Sequence, residues 1–262
     1  MIQVQDLKIH YGDFVAVDNL SFSVKPGTVF GLIGPNGAGK TTTIKAIATL
    51  IEPTYGEIML GETSVLHQPE HARRMLGYMP DFPPVYDDLR VEEFCDLFAH
   101  AYGQSVVERK EKVEKALSQT ELTTKRRELC KSLSRGMKQR ALLAKTLVHD
   151  PSVMLLDEPG ANLDPKARID MRKLLRKLAD QGKTILVSSH VLTELQDLCD
   201  EIGIDCFRGS PDDVLDRCYR CAQAYEPAHI ARLTGDCPLA DPDIIDRVVR
   251  LHIEGNYDYT SN

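Results

Sequence analysis

Val29-Phe-Gly-Leu-Ile33, then Gly34-Pro-Asn-Gly-Ala-Gly39-Lys40-Thr41-Thr42, then Thr43-Ile-Lys-Ala-Ile-Ala-Thr-Leu50: this stretch decides how the chain is read. Its first part is a nearly continuous apolar run, the pattern of a strand covered on both faces. Its last part reads as a helix. The segment between them satisfies G-x-x-x-x-G-K-[ST]. Glycines let such a loop wrap until successive backbone N–H groups converge on a phosphate, and the helix that follows adds its positive end. Gly34, Pro35, Asn36, Gly37, Ala38, Gly39, Lys40, Thr41 and Thr42 are therefore the expected triphosphate cradle. Lys40 supplies a mobile cation for the β- and γ-oxygens, and the Thr41 hydroxyl joins a magnesium shell. The bland alternative is a chance Gly-rich turn. Its place between a buried strand and a helix argues against that.

A second apolar run, Val153-Met-Leu-Leu156, ends in Asp157-Glu158. A carboxylate at the end of a buried strand is placed to reach Mg²⁺, which is the role expected of Asp157. Glu158, turned another way by strand alternation, is expected to orient or deprotonate the water that attacks the γ-phosphate. The alternative is that one of the two is a helix cap or a solvated acid.

Outward from these motifs, short strands alternate with helices. Phe14–Val17, Ser21–Val24, Glu57–Leu60 and Thr184–Val187 read as strands. Asp164-Pro165 opens a helix with one apolar stripe, Met171, Leu174, Leu175 and Leu178, and Gly182 suits its end. After Pro80, Pro83 and Pro84 the chain turns charged and helical through about residue 148, with Val113, Ala116 and Leu117 at half-buried helical spacing. The fold class expected is α/β, with a mostly parallel sheet and a helical insertion in the middle of the chain. Residues 206–262 show no clear period.

Composition narrows the partners. The 262 residues carry 32 Lys plus Arg against 39 Asp plus Glu, a net charge of −7, so no basic surplus exists to neutralise nucleic-acid phosphates. No apolar run approaches the ~18–20 residues that cross a bilayer, and the first residues lack the pattern of a secretory signal. The chain reads as cytosolic, or as held at a membrane by something it binds. Its seven cysteines, an odd number, read as free thiols. Cys218-x-x-Cys221 is the one close pair, and a zinc site needs a second.

Taken together, the motifs over roughly residues 1–205 resemble those of the ATP-binding subunits of ABC transporters. Walker A lies at 34–42, a Leu133-Ser134-Arg-Gly136-Met-Lys-Gln-Arg140 signature precedes the Walker B strand at 153–158, Asn162-Leu-Asp164 resembles the D-loop, and His190 the switch histidine. The resemblance implies that Ser134 and Gly136 clamp the γ-phosphate of nucleotide held by a second ATP-binding subunit, identical or not. It implies that Asp164 lies at that shared site, that His190 senses the γ-phosphate, and that Tyr11 stacks on adenine. Each has a plainer reading: Ser134 and Asp164 as helix N-caps, His190 as an unremarkable residue after a strand, Tyr11 as a turn-flanking tyrosine. The fold implied is α/β, a P-loop NTPase core with a mostly parallel sheet, an N-terminal antiparallel β portion and a helical subdomain over about 80–148, and the cofactors implied are ATP and Mg²⁺. The partners implied are that second subunit and integral membrane permease subunits, with no nucleic acid, at the inner face of the cell membrane.

Departures from the family pattern also carry information. Arg135 and Met137 replace the usual glycine and glutamine of the signature, and Asp81 stands where the family has a magnesium-binding glutamine. Aspartate still approaches Mg²⁺, with a shorter reach and an added charge. These changes resemble an exporter-type bacterial branch, and imply an ATPase that powers solute export through a separate membrane subunit. Beyond His190 the family's closing hairpin looks shortened, which sets the expected division at 1–205 for the ATPase domain and 206–262 for a divergent tail. Two other readings stay open: a soluble family member that moves no solute, and a subunit that binds nucleotide without hydrolysing it.

Overall fold

The computed structural model describes residues 1–34, 36–81, 84–161 and 163–189, together with 249, 250 and 254. The chain divides into two compact units, Met1–His190 and Val191–Asn262. All elements below belong to the first.

An antiparallel sheet opens the fold. Strands β1 (Ile2–Tyr11), β2 (Phe14–Val24), β4 (Tyr55–Leu60) and β5 (Thr63–Ser64) lie in the order β2-β1-β4-β5. In β1 the buried residues are Ile2, Val4, Leu7 and Ile9, so alternation slips by one between Val4 and Leu7. Asp6, at φ 48°, takes up the odd residue as a bulge, and the core face is recovered beyond it. The two strand segments expected over 14–17 and 21–24 are one strand, β2, with Asn19 in the left-handed region between them.

The second sheet is parallel. Strands β3 (Val29–Ile33), β6 (Leu76–Met79), β7 (Val153–Leu156) and β8 (Thr184–Ser189) take the order β3-β8-β7-β6. The crossovers are supplied by α1 (Lys40–Ile47), α2 (Pro69–Met75), the helical block α3 (Val91–Ala101), α4 (Val106–Gln119) and α5 (Arg135–Leu147), and α6 (Pro165–Asp180). β7 separates two cores. Its Val153 and Leu155 join the cluster beneath the antiparallel sheet and α1, while Met154 and Leu156 join the cluster of the helical block and α6. A strand buried on both faces has to be apolar throughout, which is why Val153–Leu156 has no polar member.

The expectation that β3 is equally covered is not met. Val29 is 44% exposed, and the rest of the strand is half-buried or exposed. β3 pairs with β8 on one side, and among the described residues no strand lies on the other.

Helix ends obey local rules. Ser105 caps α4 in a reciprocal capping box with Glu108, and Asp164 caps α6 by accepting from the Ala167 N–H at 2.9 Å. At the far end of α6, Gly182 (φ 93°) donates to Ala179 and Lys183 to Leu178, a Schellman closure that only a left-handed residue permits cheaply. Cys95 and Cys130 are free and buried in the helical block, and burial foremost pushes the Cys95 thiol up to about 12, so it stays protonated. The remaining cysteines, including Cys218 and Cys221, lie outside the described residues.

Two features of the α5–β6 junction are testable. A Cβ on Gly77 of β6 would sit 2.8 Å from both the Pro151 ring and the Thr146 Cγ2, and 3.0 Å from the Thr146 carbonyl oxygen. Gly77→Ala should therefore cost about 1–3 kcal/mol in chemical denaturation; an unchanged midpoint would contradict this packing. Nearby, His149 stacks on Tyr102 and donates from Nε2 to the Leu76 carbonyl at 2.8 Å, leaving Nδ1 buried without a partner. Burial foremost lowers its pKa below the ordinary 6.5. The neutral ring thus contributes stability above about pH 6.5 that is lost as pH falls through the folded value. Thermal midpoints should drop across this acid range, and His149→Gln should flatten that drop.

Candidate functional site

The loop between β3 and α1 has the backbone its glycines require. Gly37 and Gly39 stand at φ 85° and 80°, and a Cβ on Gly39 would meet the Ala16 carbonyl oxygen of β2 at 2.5 Å. Loop and antiparallel sheet are in direct contact there. Asn36, Gly37 and Ala38 are exposed at the tip. The Lys40 ammonium folds back to donate to the Gly34 carbonyl at 2.7 Å, and the Gly34 N–H donates to Ser189 of β8 at 3.3 Å. Helix α1 begins at Gly39 with no side-chain cap and no acid in its first turn. Whereas Ser105, Ser134 and Asp164 cap the starts of their helices with side-chain oxygens, α1 has no side-chain cap, and its positive end faces the loop.

Opposite this open end lies Asp157, one residue past β7 and almost wholly buried. Its Oδ1 accepts from the Thr41 hydroxyl at 3.1 Å and from the Ser188 hydroxyl at 2.6 Å. Its Oδ2 is buried without a hydrogen-bond partner. The Asp157 N–H is fixed to the Met79 carbonyl of β6 at 2.8 Å. Glu158 follows at φ 52°, a left-handed conformation unusual outside glycine, and its N–H donates to the Ser188 hydroxyl at 2.9 Å. The backbone therefore turns sharply between the two acids.

Asp81 lies just past β6. The Tyr78 hydroxyl is pushed up to about 12, by burial first and then by the Asp157 and Asp81 carboxylates, so both acids face the same phenol.

The structure thus brings Thr41, Asp157, Glu158 and the loop into one place, with Asp81 at its side. Ser134, Gly136 and Asp164 form a second group at the starts of α5 and α6. Ser134 is exposed and accepts from the Met137 N–H at 3.3 Å, and a Cβ on Gly136 would meet the Ala167 Cβ at 3.3 Å. Thr42 is half-buried in the first turn of α1. Tyr11, half-exposed at the turn of the β1–β2 hairpin, is five residues from the point where that hairpin meets the loop. Pro35, Asn162 and His190 lie outside the described residues. Ser188 was missed by sequence reasoning. The signal available was a hydroxyl interrupting an apolar strand one layer from the carboxylate pair.

Residues 17–161, more than half of the chain, match the family model described as ABC transporter. The chain belongs to the ABC transporter family. It is an ATP-binding, ATP-hydrolysing subunit whose reaction powers transport, and its fold is that of a P-loop cassette. It is 41% identical over 203 residues, 78% of this chain and 67% of the relative, to Nod factor export ATP-binding protein I of Burkholderia orbicola (strain AU 1054). Among solved structures it is similar to cbiO1 from Clostridium perfringens, part of the ABC transporter complex cbiONQ, with 26% identity, a TM-score of 0.68, and coverage of 73% of this chain and 78% of that one. It is also similar to the dimeric structure of MJ0796, a bacterial ABC transporter cassette, with 27% identity, a TM-score of 0.64, and coverage of 74% and 89%. Residues 174–262 match a second family model, described as Cytidylyltransferase.

If the loop of this ABC ATPase holds phosphate as its geometry indicates, Lys40→Ala should weaken ATP binding about ten- to a hundredfold, the worth of one charge-assisted hydrogen bond. Calorimetric titration reads this directly, and equal affinity would displace the loop from the site.

Proposed function

We propose that this chain is the ATPase of a membrane exporter, working at the cytoplasmic face as a dimer of ATP-binding subunits on integral membrane permease subunits. Support for export comes from the similarity to a Nod factor export protein and from Arg135, Met137 and Asp81. Support for the assembly comes from likeness to a dimeric cassette and to one belonging to a transporter complex. Among the described residues no helix is long and apolar enough to cross a membrane; in this reading a separate permease carries the solute. Nucleic acid is not a partner in this reading, given the net charge of −7.

The observation that carries the reading is the Thr41–Asp157 pair at the uncapped end of α1. In it, residues 34–42 wrap the phosphates, Lys40 neutralises their β- and γ-oxygens, and Tyr11 stacks on adenine. The hydroxyl of Thr41 and the orphaned Oδ2 of Asp157, with Asp81 beside them, suit a hard cation. Among the described residues there is no cluster of three or more His, Cys, Asp or Glu for a softer metal. Bound magnesium supplies neutralisation of charge on the transferring phosphoryl group. Glu158, next to Asp157 on a left-handed backbone, orients the attacking water and accepts its proton. His190 senses the γ-phosphate. Ser134 and Gly136, with Asp164 close by, meet the nucleotide of the partner subunit and complete the shared site. Asp81 and the helical block over about 80–148 pass the motion to the permease.

The cassette in this reading spans 1–205, and 206–262 is a divergent tail. The match of residues 174–262 to a different family model supports treating the tail as foreign to the cassette, in place of a shortened family hairpin.

The exporter reading and a binding-only subunit part at one variant. Glu158→Gln should keep ATP affinity, lower turnover about a hundredfold or more, and accumulate an ATP-bound dimer. Phosphate release and gel filtration measure both, and undiminished turnover would take Glu158 out of the mechanism.

A further inference from the structure

Ser188, in β8, is wholly buried in a strand whose other members up to Val187 are apolar or a threonine. A buried hydroxyl needs its hydrogen bonds, and a serine has one proton to give and lone pairs to receive. Here both capacities are spent on the two acids. The proton goes to Asp157 Oδ1 at 2.6 Å, and a lone pair receives the Glu158 N–H at 2.9 Å.

The geometry points to Ser188 as a positioning residue that sets the orientation of both acids, Asp157 through its side chain and Glu158 through its backbone. This rests on the roles given above to Asp157 and Glu158. The donor half of the hydroxyl limits rotation. A carboxylate with one donor swings about its χ2 torsion, which is broad for such a group. With Thr41 and Ser188 both on Oδ1, the oxygen presented without a partner is always Oδ2. The acceptor half concerns strain. A left-handed glutamate is held against an unfavourable backbone energy of about 1–2 kcal/mol, and persists only where its surroundings over-determine it. The Ser188 oxygen is the acceptor for the Glu158 N–H, at the left-handed residue itself. Remove the hydroxyl and that N–H is buried unsatisfied, so the turn at 157–158 relaxes and the Glu158 side chain moves with it.

A second consequence concerns the sheet. β8 pairs with β3 through Leu32 and Ser188 and with β7 through Leu156 and Val187. The strand that carries the Ser188 hydroxyl is thus the one between the phosphate-loop strand and the carboxylate strand. Its hydroxyl bonds to Asp157 and Glu158 beyond the carboxylate strand, and Thr41 of the loop reaches the same Asp157 oxygen.

The test compares Ser188→Ala, Ser188→Thr and Ser188→Cys in the full chain by MgATP turnover, magnesium titration of turnover, and ATP binding in the presence of a chelator. Ser188→Ala is expected to lower kcat about tenfold or more and to raise the magnesium concentration for half-maximal rate severalfold, with metal-free ATP affinity within about twofold. Ser188→Thr keeps the hydroxyl and is expected to recover most of the rate. A merely structural role would move thermal stability without this split between metal-free binding and turnover. Should Ser188→Ala fail to fold, Ser188→Cys carries the test: its thiol fills the volume but hydrogen-bonds weakly, and slow turnover is expected again. Full turnover in a folded Ala or Cys variant, or a folded Thr variant as slow as Ala, overturns the inference. A wild-type chain that does not hydrolyse MgATP overturns the parent reading and this one with it, an outcome distinct from wild-type turnover with an unimpaired Ser188→Ala.

Discussion

The Asp157 carboxylate, buried and held on one oxygen by two hydroxyls, is the interaction on which the rest of the structure is organised. Burying a charge without compensation costs several kcal/mol, so the chain must bring donors to it from elsewhere in the sequence. Thr41 is 116 residues away and Ser188 31 residues away, and only a parallel sheet with its strand ends in register delivers all three. The register of β7 with β6 and β8 is therefore a requirement of the site as well as of packing. β7 in turn stays in place because its four residues feed two cores at once. A fold that holds one side of this strand loosely would lose the geometry of the acid beyond it.

Much of this was legible in the sequence because the signals were dense and local. The phosphate loop, the apolar run before Asp157, and the stripe Met171, Leu174, Leu175 and Leu178 each occupy consecutive or regularly spaced positions, and each landed on the element expected of it. What was not legible was long-range. β1 hides its period because Asp6 inserts one residue between Val4 and Leu7, and no pattern of strict alternation survives a bulge. β2 reads as two segments because Asp18 and Asn19 interrupt its apolar residues, whereas one strand runs through them and pairs with β1 on either side of the irregularity. β3 has the composition of a central strand but only one described neighbour, and composition does not count neighbours. Ser188 looked like a strand end because its value lies in two partners 30 and 31 residues back.

The tail gives the opposite lesson. Its lack of period, its cysteines and the loss of family pattern after His190 set it apart before any comparison. The match of residues 174–262 to a cytidylyltransferase model agrees with that break in character. The match begins within α6, whose apolar stripe and Schellman closure also serve the cassette. An amphipathic helix followed by a buried strand is common to many α/β folds, so this overlap distinguishes the two families poorly. The residues that discriminate are the chemical ones, and those assigned to the cassette all precede residue 206.

Three helix N-termini show how the same local physics yields different chemistry. α5 and α6 begin with Ser134 and Asp164, whose side chains accept from Met137 and Ala167 N–H groups and offset the cost of starting a helix by about 1 kcal/mol each. The two starts also press together, since Gly136 leaves room for Ala167 and any larger residue would separate them. α1 begins instead with a left-handed glycine and no side-chain cap. An uncapped helix start is a standing deficit that solvent repays poorly and a phosphate repays well, because the anion answers several N–H groups and the helix dipole together. A Ser or Asp side chain at position 39 would remove that deficit, yet the Ala16 carbonyl, 2.5 Å from any Cβ there, forbids one. The packing of β2 against the loop thus keeps α1 uncapped, and tertiary structure, more than loop sequence alone, keeps the cradle open.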